Sequence, residues 1–172
     1  SKTKYGDVHY YNTDLYISQD LKNNRLYEEH IIMNDLKPYI KQSKIILDIG
    51  SHIGCHSIGY SSIQHEAQIY SFEPQKQLYH LLEKNCQNKN NIRVFNQAVG
   101  AFNGTCTIPD TIEQEDNKHF SYEDEKSYNY GGIGIGEGSN EVEMVTIDSL
   151  KLEGCDFIKI DVEGFEYFVL KG

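Results

Sequence analysis

The stretch Lys44-Ile-Ile-Leu-Asp-Ile-Gly-Ser-His-Ile-Gly54 decides the fold. Its first half is a nearly continuous apolar run of strand length, the pattern of a parallel strand covered on both faces. Its second half, Gly50 to Gly54, reads as a tight turn, and Cys55–Ser62 follows with the pattern of a helix. A buried strand that turns over glycines into a helix is the opening unit of an open α/β sheet.

Working outward, the same alternation repeats. Gln68–Pro74 reads as a second strand and about Gln75–Asn88 as a helix with Leu78, Leu81 and Leu82 on one face. Ile92–Val99 reads as a third strand closing at Gly100. Strand and helix in alternation predict a parallel sheet with right-handed crossovers. Further on, Val142–Asp148 alternates like a strand, and Asp156–Asp161 forms a fourth sheet strand that leads into a short helix ending at Gly172. Ahead of the first strand, apolar positions between Asp20 and Ile40 recur at helical spacing, for one or two helices ending near Pro38 or just beyond. Alternation around Val8–Tyr11 suggests a short strand.

The expectation is one α/β domain over 1–172, Rossmann-like, with a mostly parallel doubly wound sheet. Residues 1–43 form an N-terminal helical and strand extension and 44–100 the βαβαβ core. Residues 101–141 form an irregular or β-rich insertion, acidic and then Gly-rich, and 142–172 a strand pair with the start of a final helix. No strand follows the fourth βα unit, so the domain reads as truncated after that strand's helix, or as a minimal version of the fold.

Composition narrows the partners. Sixteen Lys and Arg stand against 26 Asp and Glu, a formal charge of -10. Phosphate backbones and anionic membranes both need clustered cations, so neither is an expected partner. No apolar run approaches the ~20 residues of a membrane span. Cys55, Cys86, Cys106 and Cys155 are scattered without metal-ligand pairing, and with no signal-peptide core they read as reduced thiols in a cytoplasm. The seven carboxylates between Asp110 and Glu125 read as a solvated loop.

Four clusters carry the chemistry. In the first, Gly50 permits a tight turn against which a ligand can lie, and Gly54 lets the helix start close to the strand. The spacing lacks the Gly-x-Gly-x-x-Gly that seats a pyrophosphate. Asp48 would repel a pyrophosphate but suits an ammonium group. In the second, Glu73, followed by Pro74, closes the next strand 73 − 50 = 23 residues after Gly50, near the ~20 at which an acid takes ribose hydroxyls. In the third, Asn96-Gln-Ala-Val-Gly100, small Ala98 leaves room for a flat base and Gln97 offers amide hydrogen bonds. In the fourth, Ile158-Lys-Ile-Asp-Val-Glu-Gly-Phe-Glu166, Asp161 and Glu163 sit where the strand opens on the cleft. Carboxylates there can orient or deprotonate a hydroxyl or hold a divalent cation. Glu166, one helical turn on, caps or lines the same mouth. His52-Ile-Gly-Cys-His56 is too sparse a ligand set for zinc.

Together these segments resemble the FkbM family of S-adenosylmethionine-dependent methyltransferases, many of which methylate oxygen on polyketide or sugar hydroxyls. The likeness covers nearly the whole chain: Tyr27-Glu28, LDIGSHIG, SFEP, NQAVG, VTIDSL, and above all IKIDVEGFE followed by VLKG. The resemblance implies a class I methyltransferase fold with S-adenosylmethionine as cofactor and S-adenosylhomocysteine as product. Asp48, Gly50, Ser51, His52, Ile53 and Gly54 would form the cofactor loop, with Glu73 and Pro74 at the ribose and Gln97 and Ala98 at the adenine. Asp161 would lie near the sulfonium and the substrate. His52 stands where the family usually has Asn.

The function so expected is O-methylation of a small-molecule or sugar hydroxyl, with Asp161 or Glu163 as catalytic group and His52 or His56 as weaker base candidates. A divalent metal has no specific motif. The alternative is a non-catalytic module that holds cofactor or partner without turnover; a nicotinamide oxidoreductase is disfavoured by the glycine spacing.

Overall fold

The computed structural model describes residues 1–109, 118–120, 126–128, 135–136 and 138–172. The chain opens with a small antiparallel pair, β1 (Lys2–Thr3) and β2 (Gly6–Asp7), followed by α1 (Ile17–Lys22). A π-helical turn (Ile31–Leu36) runs into α2 (Lys37–Ile40). The core then alternates β3 (Ile45–Ile49), α3 (Cys55–Ile63), β4 (Gln68–Phe72), α4 (Lys76–Cys86) and β5 (Ile92–Phe95). After it come β6 (Ala98–Val99), β7 (Gly104–Ile108), β8 (Lys118–Phe120), β9 (Lys126–Tyr128) and β10 (Asn140–Val145). A 3₁₀ turn (Asp148–Leu150), β11 (Phe157–Ile160) and α5 (Glu166–Lys171) complete the chain.

The central sheet has the order β11-β3-β4-β5 and is parallel throughout, with Phe157 opposite Ile46, Ile46 opposite Ile69 and Ile69 opposite Ile92. The apolar run of β3 is buried on both sides because alternate residues serve two layers. Ile46 packs with Ile32, Ile40, Tyr60 and Ile69 on the helical face, while Leu47 and Ile49 pack with Phe72, Val99 and Val169 on the other. Each such fully buried side chain contributes about 1.5–3 kcal/mol.

Three expectations need correction. Ile92–Val99 is not one strand: β5 ends at Phe95, and the Asn96 amide donates to the carbonyls of Glu73 and Pro74, both at 2.9 Å. The chain turns there, and β6 joins a second, three-stranded sheet in the order β6-β10-β7. Val142–Asp148 likewise stops being strand at Val145. Val8–Tyr11 is not a strand; Val8 is buried with Leu21 and Leu26, and the pairing lies earlier at β1 and β2. Pro38 sits near the start of α2, where its missing N–H costs little. The acidic run 110–125 lies largely outside the described residues, as does most of 131–138. Among the described residues, no helix is long and apolar enough to cross a membrane.

Asn85 on α4 ties the N-terminal extension to the core. It is 7% exposed; Oδ1 accepts the His9 N–H at 2.7 Å, and Nδ2 donates to the carbonyls of His9 and Ile53, each at 2.9 Å. Asn85→Ala is expected to cost about 2–4 kcal/mol, because it strands buried donors and acceptors. Urea unfolding with an unchanged slope checks this; a loss below about 1 kcal/mol would mean that water replaces the amide.

Candidate cofactor cleft

The chain runs outward from β3 through β4 to β5, then returns to place β11 on the other flank of β3. This reversal opens a crevice beyond the carboxyl ends of β3 and β11, where ligands bind in open α/β sheets. The N–H groups of Gly50 and Ser51 donate to the Phe72 carbonyl at 3.0 and 2.9 Å, tying the loop to the end of β4. Gly50 (φ +75°) passes so close to β11 that an added Cβ would stand 1.9 Å from the Asp161 carbonyl oxygen. His52 also takes a positive φ, +52°.

Glu73 is buried, and both its carboxylate oxygens accept backbone N–H groups: Oε2 from His52 and Oε1 from Gln75, each at 2.9 Å. Burial outweighs these two bonds and pushes its carboxyl up to about 7. Each oxygen keeps a lone pair for a further donor. Glu73, Pro74, Gln97, Ala98, Gly50, His52, Asp161 and Glu163 all line one narrow cavity of about 70 Å³. A whole nucleoside needs more room, so one held at Glu73 would extend over the rim. The Gln97 side-chain amide already donates to Glu143 Oε2 at 2.8 Å, which leaves its carbonyl oxygen for a ligand.

A second cavity of about 370 Å³ adjoins the first, sharing Gly50, His52, Asp161 and Glu163. Ser51 and Ile53 line it, together with Asp14, Tyr27, His56 and Lys159. Asp48 and Gly54 line neither cavity. Strand alternation turns Asp48 toward the helical face, where it is fully buried and accepts from the Ser57 hydroxyl, with Lys159 Nζ 3.4 Å from Oδ1. The expected direct contact of Asp48 with a ligand ammonium is therefore replaced by a supporting position beneath the loop. Gly54 packs on α4, where an added Cβ would stand 2.8 Å from Leu82 Cδ1.

Asp161 and Glu163 are exposed at the mouth. Burial and repulsion from Asp161 and Glu166 raise the Glu163 carboxyl above its ordinary value. Glu166 turns away from the cleft: its Oε1 accepts the N–H groups of Val162 and Gly164, both at 3.2 Å, and closes the turn.

Two charged lining residues escape the sequence reading. Lys159 donates to the Gly50 carbonyl at 2.6 Å and lies 3.8 Å from Asp161 Oδ2. A lysine between two isoleucines of a sheet strand must find partners, and that was its signal. Asp14 lies far upstream in a polar segment with no such signal. Glu28 binds His56 Nε2 at 3.1 Å, and that bond holds the Glu28 carboxyl below its ordinary range. Among the described residues no group of three or more His, Cys, Asp or Glu is arranged to hold a metal ion.

A parallel sheet with a glycine turn after its first strand and an acid closing its second is a Rossmann-like α/β architecture. Residues 48–172 match the methyltransferase FkbM domain, and the chain belongs to that family. No curated protein sequence matches it. Among solved structures it is similar to a Staphylococcus aureus protein described as a caffeoyl-CoA O-methyltransferase (25% identity, TM-score 0.33, 35% of this chain and 31% of that one). Another is the precorrin-6y C5,15-methyltransferase of Geobacter metallireducens GS-15 (15%, 0.33, 39% and 36%). A third, from Plasmodium falciparum, is described as a protein-L-isoaspartate O-methyltransferase in complex with S-adenosyl-L-homocysteine (13%, 0.35, 41% and 38%). The match thus spans about a third of the length of each of these structures.

Proposed function

We propose that the chain is an S-adenosylmethionine-dependent methyltransferase acting on a hydroxyl oxygen of a small molecule or sugar. The observation that carries this reading is the meeting of two cavities at Gly50, His52, Asp161 and Glu163, with the buried carboxylate of Glu73 lining one of them and bonded to the His52 N–H. Glu73 has the free lone pairs to take ribose hydroxyls, and Gln97 and Ala98 border the base. The ring nitrogens of His52, buried and without hydrogen-bond partners, also fit a polar ligand at this loop. S-adenosylmethionine supplies, when bound, a methyl group already activated by its sulfonium.

The protein's own task is then alignment of the attacking oxygen. Asp161 and Glu163, solvent-facing and next to the shared wall, orient the acceptor hydroxyl and take its proton. A cytoplasmic setting belongs to the same reading, supported by four unpaired thiols.

Calorimetric titration with S-adenosylhomocysteine tests the cofactor, and transfer of labelled methyl to a panel of monosaccharides and polyols tests the acceptor class. Saturable binding with no transfer to any hydroxyl compound would favour a binding module instead. Asp161→Asn is expected to abolish turnover while S-adenosylhomocysteine still binds; an unchanged rate would remove Asp161 from the mechanism.

A further inference from the structure

We infer that the second cavity seats the amino-acid end of the cofactor, with its carboxylate on the Lys159 ammonium and its ammonium on Asp14. This rests on the function proposed above. An α-amino acid carries both charges within a few bonds, so its site needs a cation and an anion facing one space. Among the described residues Lys159 is the one Lys or Arg that lines this cavity, and Asp14 lines it too.

Lys159 is built for the purpose. Its side chain is 15% exposed and is held by the Gly50 carbonyl at 2.6 Å and by Asp48 Oδ1 at 3.4 Å. An ammonium has three N–H donors, and the Gly50 carbonyl takes one of them, so donors remain for a ligand oxygen. Asp161 Oδ2, at 3.8 Å, is too far to take it. The first turn of α3, through Cys55 and His56, lines the same cavity, and helix amino termini favour a carboxylate. In this arrangement Asp48 offsets the lysine's charge and holds it extended.

Asp14 offers the complementary half. Its carboxyl is buried, and Oδ1 accepts the N–H groups of Tyr16 and Ile17 at 3.1 and 2.9 Å, which pins the side chain. Oδ2 lies 3.5 Å from His52 Nε2, yet the imidazole makes no hydrogen bond there, and both of its ring nitrogens are buried and unpaired. Burial first, and then the Lys159 charge, push His52 down to about 3, so it is neutral and has a lone pair to offer. A ligand ammonium donating to Asp14 Oδ2 and to the unprotonated ring nitrogen of His52 would satisfy that orphaned acceptor. Asp14 precedes the matched residues 48–172, so the N-terminal extension supplies half of the seat.

The test compares S-adenosylhomocysteine with 5′-methylthioadenosine, which keeps the nucleoside and lacks the amino acid, by calorimetry. The unaltered chain is expected to prefer S-adenosylhomocysteine by roughly 100-fold, the scale of two charge-assisted contacts. Lys159→Met should weaken S-adenosylhomocysteine by about 30-fold and Asp14→Asn by about 10-fold, with methylthioadenosine unchanged within about 3-fold. Equal affinity of the two ligands for the unaltered chain, or parallel losses of both in the variants, would overturn the assignment. Should Lys159→Met fail to fold, decarboxylated S-adenosylhomocysteine on the unaltered chain decides: weaker binding supports the lysine contact, and undiminished binding refutes it. If neither nucleoside ligand binds the unaltered chain, the cofactor reading itself falls.

Discussion

Gly50→Ala is expected to abolish S-adenosylhomocysteine binding and to lower stability by more than about 3 kcal/mol, the range reserved for backbone strain and core overlap. The added Cβ would stand 1.9 Å from the Asp161 carbonyl oxygen and 3.0 Å from its carbon, and backbone atoms cannot swing aside. The residue's φ of +75° adds strain of about 1–2 kcal/mol for any L side chain. Relief requires the ends of β3 and β11 to part, which breaks the Lys159 bond to the Gly50 carbonyl and opens the wall common to both cavities. Gly54→Ala is the control. It also has positive φ, but its nearest obstacle is the end of the Leu82 side chain at 2.8 Å, which can rotate. Urea unfolding should therefore rank Gly50→Ala well above Gly54→Ala; equal losses would show that the two strand ends are not locked together.

Glu73→Gln should produce the second large effect, read in two ways. On the proposed reading, affinity for S-adenosylhomocysteine is expected to fall by about 100-fold, since the ribose would lose its carboxyl acceptor. The pH dependence of stability should change as well. The folded-state carboxyl is pushed up to about 7, above its unfolded value, so the folded protein holds the proton more tightly. Its contribution is fully present below the unfolded value and is lost as pH rises through about 7. The loss amounts to about 3 kcal/mol between pH 4.5 and 7.5. His52 works in the opposite sense: its folded value of about 3 means that its contribution is present above pH ~6.5 and lost as the medium becomes more acid. The two slopes overlap, so the difference between the unaltered chain and Glu73→Gln isolates the carboxylate. The glutamine also turns an N–H toward the backbone donors of His52 or Gln75, a constant cost of about 1–3 kcal/mol. A difference curve flat from pH 4.5 to 7.5 would show that Glu73 is not desolvated as described.

The sequence was most informative where one residue type served one physical need. The run Ile45–Ile49 had to be a doubly covered strand, and Glu73 had to lie at a strand's carboxyl end, because apolar runs and strand-to-helix turns are local properties of the chain. It was less informative where an interaction joins distant segments. The break after Phe95 depends on Asn96 meeting the carbonyls of Glu73 and Pro74, more than 20 positions away in the chain. Glu166 stood at the correct spacing to line the mouth, yet the left-handed turn at Glu163 and Gly164 drew its carboxylate to backbone N–H groups instead.

By itself, then, the sequence determined the parallel sheet, the family, and the group of residues that gathers at the sheet's carboxyl edge. Periodicity and strand-end position dictate the sheet and the gathered residues without reference to what lies opposite, and the motif strings carry the family resemblance. Only the tertiary structure decided the division of labour among them. It set Asp48 under the loop, gave the cavity to Lys159 and Asp14, and made Gly50 a contact with Asp161. Those assignments follow from which side chains meet across β3, β11 and the N-terminal extension, and a pattern within one segment carries no record of its neighbours.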